Sequence, residues 1–338
     1  MRIWPWRRAL QVSVFSMMFV FPLIARYAYY VNARQIDKAV ESWKGYTQGR
    51  LLAVTDVFMS IGLTREEGGV VGRRPRKAIL ARTANFLGSA WSSKIAGVSL
   101  VDMLAAAESM LASRSLEMVL LIGLSLPLLA TLLLGRVYCG WVCPMGVINW
   151  FAARLRALIV FLELKPIAIP FWRGNRFIVL AAGLLFTLVA GLPLLGYVYP
   201  PAVLSREANG FIMSLFDRAE NVRPGWMMPR LTGAIFFIAA LIGVQALLSP
   251  EAWCRSFCPG GALYSLLGRM RILRIKRIAK DCVECDICDQ ACPMALAPMS
   301  DKTGSQCDSC GVCVDVCPTG ALKFKIAIDD KPILEGVR

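Results

Sequence analysis

All twelve cysteines of this 338-residue chain fall into recurring patterns. Two runs near the C-terminus share the spacing C-x2-C-x2-C-x3-C-P, and they consist of Cys282, Cys285, Cys288 and Cys292, and of Cys307, Cys310, Cys313 and Cys317. In bacterial ferredoxins such runs hold [4Fe–4S] clusters, with the fourth cysteine of each run binding the cluster of the other. The spacing therefore predicts two [4Fe–4S] clusters, one on Cys282, Cys285, Cys288 and Cys317, the other on Cys292, Cys307, Cys310 and Cys313.

Zinc and disulfide bonds are the alternatives for these eight thiols. Structural zinc also takes four cysteines, but its usual layout is two C-x2-C knuckles across a longer loop, without three successive x2 spacings. A disulfide framework needs an oxidising compartment, and the charge pattern described below predicts a cytoplasmic tail. Iron–sulfur clusters are therefore the favoured interpretation.

The other four cysteines form two C-x3-C-P pairs, each directly after an apolar run: Cys139 and Cys143, and Cys254 and Cys258. The i, i+4 spacing places both thiols of a pair on one face if the segment is helical. Three interpretations remain open, namely a third iron–sulfur cluster shared by the two pairs, a redox dithiol, or small buried cysteines without redox chemistry. The recurrence of the same pair, proline and position favours the first two.

The chain contains no histidine. This excludes histidine-ligated haem, C-x-x-C-H haem attachment, Ser-His-Asp catalysis, and histidine sites for zinc or copper. Any proton acceptor in this chain would have to be a carboxylate or water. Glu117 and Glu251 lie at the ends of apolar runs, but the interpretation favoured for both is an interfacial charge. No catalytic residue is assigned.

The elements that position the cysteines are predicted to be membrane helices. Hydrophobic residues make up 57% of the chain and charged residues 18%, against about 45–50% and about 25% in soluble proteins. Apolar runs predict four spans, at 9–25, 116–135, 177–199 and 231–250. A cleaved signal peptide is the alternative for the first. The expected fold is a polytopic α-helical membrane protein with about four transmembrane helices and a C-terminal α+β ferredoxin-like domain of two clusters, at 281–338.

The distribution of Lys and Arg predicts the orientation. The segments 136–176 and 251–280, which carry the C-x3-C-P pairs, are rich in basic residues and are expected in the cytoplasm with residues 1–8 and the tail. The segments 26–115 and 200–230 are expected outside, although 26–115 is unusually basic for that side.

Two further features belong to this pattern of charge. Within 26–115, the periodicity of 98–114 predicts an amphipathic helix with Asp102 and Glu108 off its apolar face. The net charge of +15 and the basic run 269–277 are interpreted as membrane anchoring, with docking of an acidic carrier or an anionic lipid as the alternative for the run. Nucleic-acid binding is not expected.

The order of these motifs resembles a known family. A span, C-G-W-V-C-P, two spans, W-C-R-S-F-C-P-G-G-A-L-Y-S-L-L-G and two ferredoxin runs are similar to the NapH/MauN membrane ferredoxin-type proteins of periplasmic nitrate reductase and methylamine utilisation systems. The resemblance covers residues 98–321. It implies a multi-pass protein of the bacterial cytoplasmic (inner) membrane, with its clusters and C-terminus in the cytoplasm.

The resemblance also implies a role. It implies an electron-transfer subunit, of the kind found in quinol dehydrogenase complexes, that passes electrons between the quinone pool and a periplasmic oxidoreductase. An exported iron–sulfur or cytochrome subunit is the expected partner. The related NosR and CcoG proteins leave an alternative open, an electron-supplying assembly factor for a periplasmic or membrane metalloenzyme.

Overall fold

The computed structural model describes residues 3–61, 76–88, 92–95, 98–164, 166–167, 169–221 and 233–327. The helices lie at Trp4–Asn32 (α1), Ile36–Ser42 (α2), Thr47–Ser60 (α3), Arg76–Thr83 (α4), Met103–Ser113 (α5), Met118–Leu134 (α6), Met145–Phe161 (α7), Asn175–Ala190 (α8), Pro200–Asn221 (α9), Gly233–Leu247 (α10), Ala252–Ser256 (α11), Pro259–Leu267 (α12), Ile287–Gln290 (α13) and Val312–Val316 (α14). The strands lie at Phe86–Gly88 (β1), Ser92–Ile95 (β2), Val98–Val101 (β3), Leu273–Arg277 (β4) and Leu322–Ile326 (β5). The structure is therefore mostly helical.

The chain divides into two compact units, made of residues 1–15, 102–201 and 236–338, and of residues 16–101 and 202–235. The second unit has its own hydrophobic core, in which Tyr27, Tyr30 and Leu52 pack with Phe216 of α9. It also contains an antiparallel sheet in the order β1-β2-β3. All twelve cysteines lie in the first unit.

One helix in the described part of the chain, α1, is long and apolar enough to cross a membrane. It has 29 residues and extends beyond the predicted 9–25 at both ends. The helices α6, α8 and α10 correspond to the other predicted spans and have 17, 16 and 15 residues. At a rise of about 1.5 Å per residue, α6 and α8 are shorter than a hydrocarbon core of about 30 Å, and α10 begins directly after residues that lie outside the described part of the chain. The count of four spans therefore stays a prediction.

The third predicted span ends early. The helix α8 stops at Ala190 instead of at 199, because Gly191 takes a left-handed φ of 70° and closes the helix through its N–H to the Thr187 carbonyl. Pro193 follows, and a 3-10 turn at Leu195–Tyr197 leads into α9. An apolar run shows where a helix lies but does not by itself show that a glycine ends it.

The segment 200–230, expected as a loop, contains the 22-residue helix α9. Its buried residues Leu204, Ala208, Ile212 and Leu215 recur every three or four positions, which is the pattern of an amphipathic helix. The search for long uncharged runs missed this helix because Arg206, Glu207 and Asp217 interrupt its sequence.

Two carboxylates expected off an apolar helix face are in fact buried. Helix α5 begins only after β3, with Asp102 as its N-cap. Asp102 accepts hydrogen bonds from the Leu104 N–H at 2.8 Å and from the hydroxyls of Tyr199 and Tyr264 at 3.1 and 3.0 Å. Glu108 is 1% exposed and accepts from the backbone N–H groups of Leu195 and Gly196. The prediction that both residues lie off the apolar face was wrong. Their burial is tolerated because these donors satisfy the carboxylate oxygens.

The basic run 269–277 belongs to the core of the tail. Its strand β4 pairs antiparallel with β5, with Leu273 opposite Ile326 and Arg277 opposite Leu322. Arg271 and Lys276 are 1% and 2% exposed. Because these side chains are buried inside the protein, the interpretation of the run as a membrane anchor was wrong.

Replacing Glu108 with alanine is expected to lower the free energy of unfolding by about 2 kcal/mol, because the N–H groups of Leu195 and Gly196 lose their acceptor. Denaturant unfolding of the purified protein in detergent measures the loss. Glu117→Ala is the matched control: Glu117 is exposed at the N-cap of α6 and makes no capping bond, so it should change stability by less than about 0.5 kcal/mol. Equal losses in the two variants would contradict a stabilising role for Glu108 as the acceptor of these N–H groups.

Candidate metal centres

The two C-x3-C-P pairs are held in the same local arrangement. The first cysteine of each pair lies in a short helical turn, Cys139 in the π-helical turn Tyr138–Val142 and Cys254 in α11. The second lies at the start of the next helix, Cys143 before α7 and Cys258 as the N-cap of α12. Proline follows both and pre-sets the backbone for a helix start. The positive end of a helix dipole favours an anionic thiolate at these positions.

The structure brings these four thiols, termed here the membrane-end cysteines, close together. Burial raises the pKa of Cys143 well above its ordinary range, and the charges of Cys139, Cys254 and Cys258 raise it further. Burial, with Cys139 as the first charged neighbour, raises the pKa of Cys258 to about 12. Each thiol therefore lies within electrostatic reach of the others. In the described residues, no group of three or more Cys, Asp or Glu side chains is arranged to hold a single metal ion.

Hydrogen-bond donors point at the sulfur atoms. The Gly261 N–H lies 3.3 Å from Cys258 Sγ, and the Asn149 amide donates to Cys254 Sγ at 3.5 Å. The charge of the Arg136 guanidinium opposes the rise that burial causes in the pKa of the Cys139 thiol. Donors of this kind stabilise sulfur in its anionic, metal-ligating form. The donor set therefore suits thiolate ligands of a metal centre.

The first ferredoxin run meets one cysteine of the second. A surface pocket is lined by Cys282, Cys285 and Cys288 together with Cys317. Cys285 is exposed, whereas Cys288 is buried. These four residues are called the outer set below.

The remaining four ferredoxin cysteines, called the inner set, lie deeper: Cys307, Cys310 and Cys313 are buried and Cys292 is partly buried. Burial raises the pKa of Cys313, and the charges of Cys307 and Cys292 add to this effect. Burial also raises the pKa of Cys310, and the charges of Asp308 and Cys307 raise it further. The Leu296 N–H donates to Cys292 Sγ at 3.4 Å.

The loop of the first C-x3-C-P pair packs directly on the loop of the inner set. The Trp141 indole donates to the Ser309 carbonyl at 3.0 Å, and Gly140 lies so close to the Asp308 carbonyl that a Cβ there would clash with it. The Gln11 amide holds the Gly140 carbonyl at 2.8 Å. The membrane-end cysteines and the inner set are therefore neighbours.

Arginines outside the tail hold the backbone of the inner set, a role that the sequence analysis missed. Arg136 donates to the Gln306 carbonyl at 2.9 Å, Arg255 to Pro293 at 2.7 Å and Arg173 to Met294 at 3.2 Å. Arg7 donates to the Cys310 carbonyl at 3.3 Å. The sequence does place arginines beside both C-x3-C-P pairs, but it does not show which backbone groups they bind.

The two carboxylates considered as proton acceptors differ in their surroundings. Glu117 is exposed. Glu251 precedes α11 with a left-handed φ of 53°. Burial and the charge of Asp308 raise its pKa to about 7, against the opposing effect of Arg255, Arg7 and Arg8. Glu251 is therefore partly protonated at neutral pH.

Two family profiles match the segments that contain the cysteines. A family profile described as a 4Fe-4S binding domain matches residues 116–161 and 230–278, which contain all four membrane-end cysteines. A second profile with that description matches 305–323, which contains the second ferredoxin run.

Relatives match over most of the chain. The ferredoxin-type protein NapH of Haemophilus influenzae is 32% identical over 244 residues, 69% of this chain and 77% of that protein. The methylamine utilization ferredoxin-type protein MauN of Methylorubrum extorquens is 30% identical, over 63% of this chain and 68% of that protein. A putative electron transport protein of Escherichia coli, YccM, is 21% identical over 56% of the chain. No solved structure matches the chain.

These matches confirm the resemblance inferred from the motifs, and the apolar helix α1 is consistent with a membrane protein. The chain belongs to the NapH/MauN family of ferredoxin-type proteins, and its 4Fe-4S domains make it an iron–sulfur electron-transfer protein.

Proposed function

We propose that this protein carries electrons between the membrane quinol pool and a periplasmic oxidoreductase system, through three iron–sulfur sites. The observation that carries the proposal is the direct packing of the first C-x3-C-P loop on the loop of the inner set, through Gly140 and Trp141. It connects cysteines at the ends of apolar helices with those of the ferredoxin tail.

The outer and inner sets are each assigned to one [4Fe–4S] cluster. The pocket that joins Cys317 to Cys282, Cys285 and Cys288 supports the exchange of the fourth ligand between the runs. The mutual charge effects of Cys313, Cys307 and Cys292 support the second assignment. Bound there, such clusters accept and release single electrons at potentials set by their surroundings.

The membrane-end cysteines are assigned to a third cluster. A reactive dithiol needs a thiolate at neutral pH, whereas burial and neighbouring thiols raise the pKa of Cys143 well above its ordinary range. Neighbouring thiolates repel one another, and a cationic iron–sulfur core bound between them reduces this repulsion. The donors to Cys258 and Cys254 and the 4Fe-4S profile over both pairs support the same assignment.

The proposed order of the three sites is supported by the contacts between them. The membrane-end cysteines adjoin the inner set through Gly140 and Trp141. The inner set adjoins the outer set through Cys288, whose charge raises the pKa of Cys313. Since Cys285 is exposed, the order runs from the helix ends to the protein surface.

The proposed topology places the N-terminus and the tail together on the cytoplasmic side of the inner membrane. The start of α1 is held by the tail, because the Asp315 carboxylate accepts the N–H groups of Ile3 and Trp4 at 2.8 and 2.7 Å. With the tail on the cytoplasmic side, delivery to a periplasmic enzyme needs an exported iron–sulfur or cytochrome subunit. One relative is named for methylamine utilization.

Iron content tests the third cluster. The full-length protein should contain about twelve iron atoms per chain, and Cys139→Ser combined with Cys254→Ser should lower this to about eight. Iron is measured by metal analysis of anaerobically purified protein. Val142→Ala with Ser256→Ala, which alters the same two turns without removing a thiol, should leave the iron content unchanged. About eight iron atoms before and after the cysteine changes would contradict a third cluster.

Reduction by a quinol analogue tests whether a quinol can donate electrons to the clusters. The purified protein should develop EPR signals of reduced clusters when a quinol analogue is added without oxygen. The Cys139→Ser, Cys254→Ser variant should keep the two tail signals after dithionite reduction but lose their reduction by quinol, because the site next to the membrane is missing. If the quinol analogue does not reduce the clusters of the unaltered protein, the quinol assignment is contradicted. Clusters that only dithionite reduces would favour an assembly factor supplied by another electron donor.

A further inference from the structure

Arg176, the second residue of α8, has an unusual environment. It is 0% exposed, and its three guanidinium nitrogens have no hydrogen-bond partner among the described residues. Its guanidinium carbon lies 4.9 Å from the centroid of the Phe177 ring. A buried cation without a partner is costly, and folded proteins normally pair it with an anion.

Helix α8, which carries Arg176, packs against α11 and α12, and these two helices hold Cys254 and Cys258. Burial and the nearby Arg136 lower the pKa of Arg176 to about 10, while Cys258 and Cys139 act to raise it. The anionic groups that act on this guanidinium most strongly are therefore two of the membrane-end cysteines. No carboxylate is among its leading electrostatic partners, and Arg173 adds a further positive charge.

Arg136 lies near the same two cysteines, Cys139 and Cys258. It is 1% exposed, its charge acts on the Cys139 thiol, and one of its terminal nitrogens would lie 3.0 Å from a Cβ on Gly261. Its other terminal nitrogen donates to the Gln306 carbonyl, and its Nε has no partner. Both buried guanidinium groups therefore interact with Cys139 and Cys258, and both keep nitrogen atoms without a hydrogen-bond partner among the described residues.

We propose that Arg136 and Arg176 form a cationic pair that neutralises an anionic iron–sulfur centre on Cys139, Cys143, Cys254 and Cys258, and that Arg176 raises the reduction potential of this centre. The inference rests on the proposed function and adds the residues that tune its membrane-end site. Four thiolates outweigh the positive charge of the iron–sulfide core, so the centre is an anion. Reduction adds one more negative charge, and cations and N–H donors nearby stabilise the reduced state.

The tuning has a functional consequence. Quinols are mild reductants, whereas a cluster surrounded by thiolates in an apolar setting resists further negative charge. An arginine with unsatisfied donors offsets that resistance at the site next to the membrane. Arg176 is thus a positioning and tuning residue that binds no substrate.

The experiment is a potentiometric EPR titration of the full-length protein, with Cys139→Ser, Cys254→Ser protein as the baseline for the two tail centres. In Arg176→Met, the ratio of reduced to oxidised membrane-end centre at a fixed potential should fall about tenfold, equal to a potential lower by about 59 mV. Arg176→Lys keeps the charge and should lose less than half of that. Arg154→Met is the control, because Arg154 is exposed on α7 and should leave the potential unchanged.

The outcomes separate this inference from the proposed function. An unchanged potential in Arg176→Met, or an equal fall in the methionine and lysine variants, overturns the tuning role. Loss of the centre in Arg176→Met with retention in Arg176→Lys supports charge compensation, whereas loss in both assigns Arg176 to packing. Unaltered protein with about eight iron atoms and no third signal refutes the membrane-end cluster itself before any arginine is changed.

Discussion

Charge-assisted hydrogen bonds from arginines to backbone carbonyls hold the iron–sulfur region together. Arg136, Arg173 and Arg255 each donate to a carbonyl within two residues of a cysteine of the inner set, and Arg271 donates to the Cys307 carbonyl at 3.0 Å. Each such bond contributes about 1.5–3 kcal/mol. The acceptors are neutral carbonyls, so the arginines keep their net positive charge, which a carboxylate acceptor would cancel. Bound to carbonyls, the guanidinium groups fix the loops and still compensate negative charge at the cysteines.

The C-P dipeptide serves two different local structures. After Cys143 and Cys258 the proline lies at a helix start, where its missing N–H costs nothing and its fixed φ suits the first turn. After Cys292 and Cys317 the chain enters a turn instead. In all four places proline fixes the backbone directly after a ligand-type cysteine. The shared dipeptide therefore reflects a shared need to hold the preceding thiol, and the element that follows differs.

The features encoded over short distances could be read from the sequence. The spacing of the cysteine runs indicates which thiols can surround a cluster, because three of the four lie within seven consecutive residues. The apolar runs located α1, α6, α8 and α10, but the end of α8 depended on one glycine conformation. Helix α9 has only an amphipathic pattern, which a search for uncharged spans overlooks.

Burial of charge could not be read in the same way. Asp102, Glu108 and Arg271 are typical surface residues by type, and all three are buried. Their partners are backbone groups and tyrosine hydroxyls far away in the sequence, such as Tyr264 for Asp102. Composition carries no information on such pairs. The basic residues of 136–176 and 251–280 were accordingly interpreted as membrane flanks, although several of them hold the inner set.

The cationic compensation is unevenly distributed over the three sets of cysteines. The outer set has Arg277 beside Cys282, but Glu284 and Asp301 lie 3.6 and 3.7 Å from that guanidinium and offset its charge. The inner set is surrounded by arginines bound to neutral carbonyls, and the membrane-end cysteines face Arg136 and the unpaired Arg176. Because uncompensated positive charge favours the reduced state of an anionic centre, this distribution would favour reduction at the membrane-end cysteines over reduction at the outer set, where Cys285 is exposed to water.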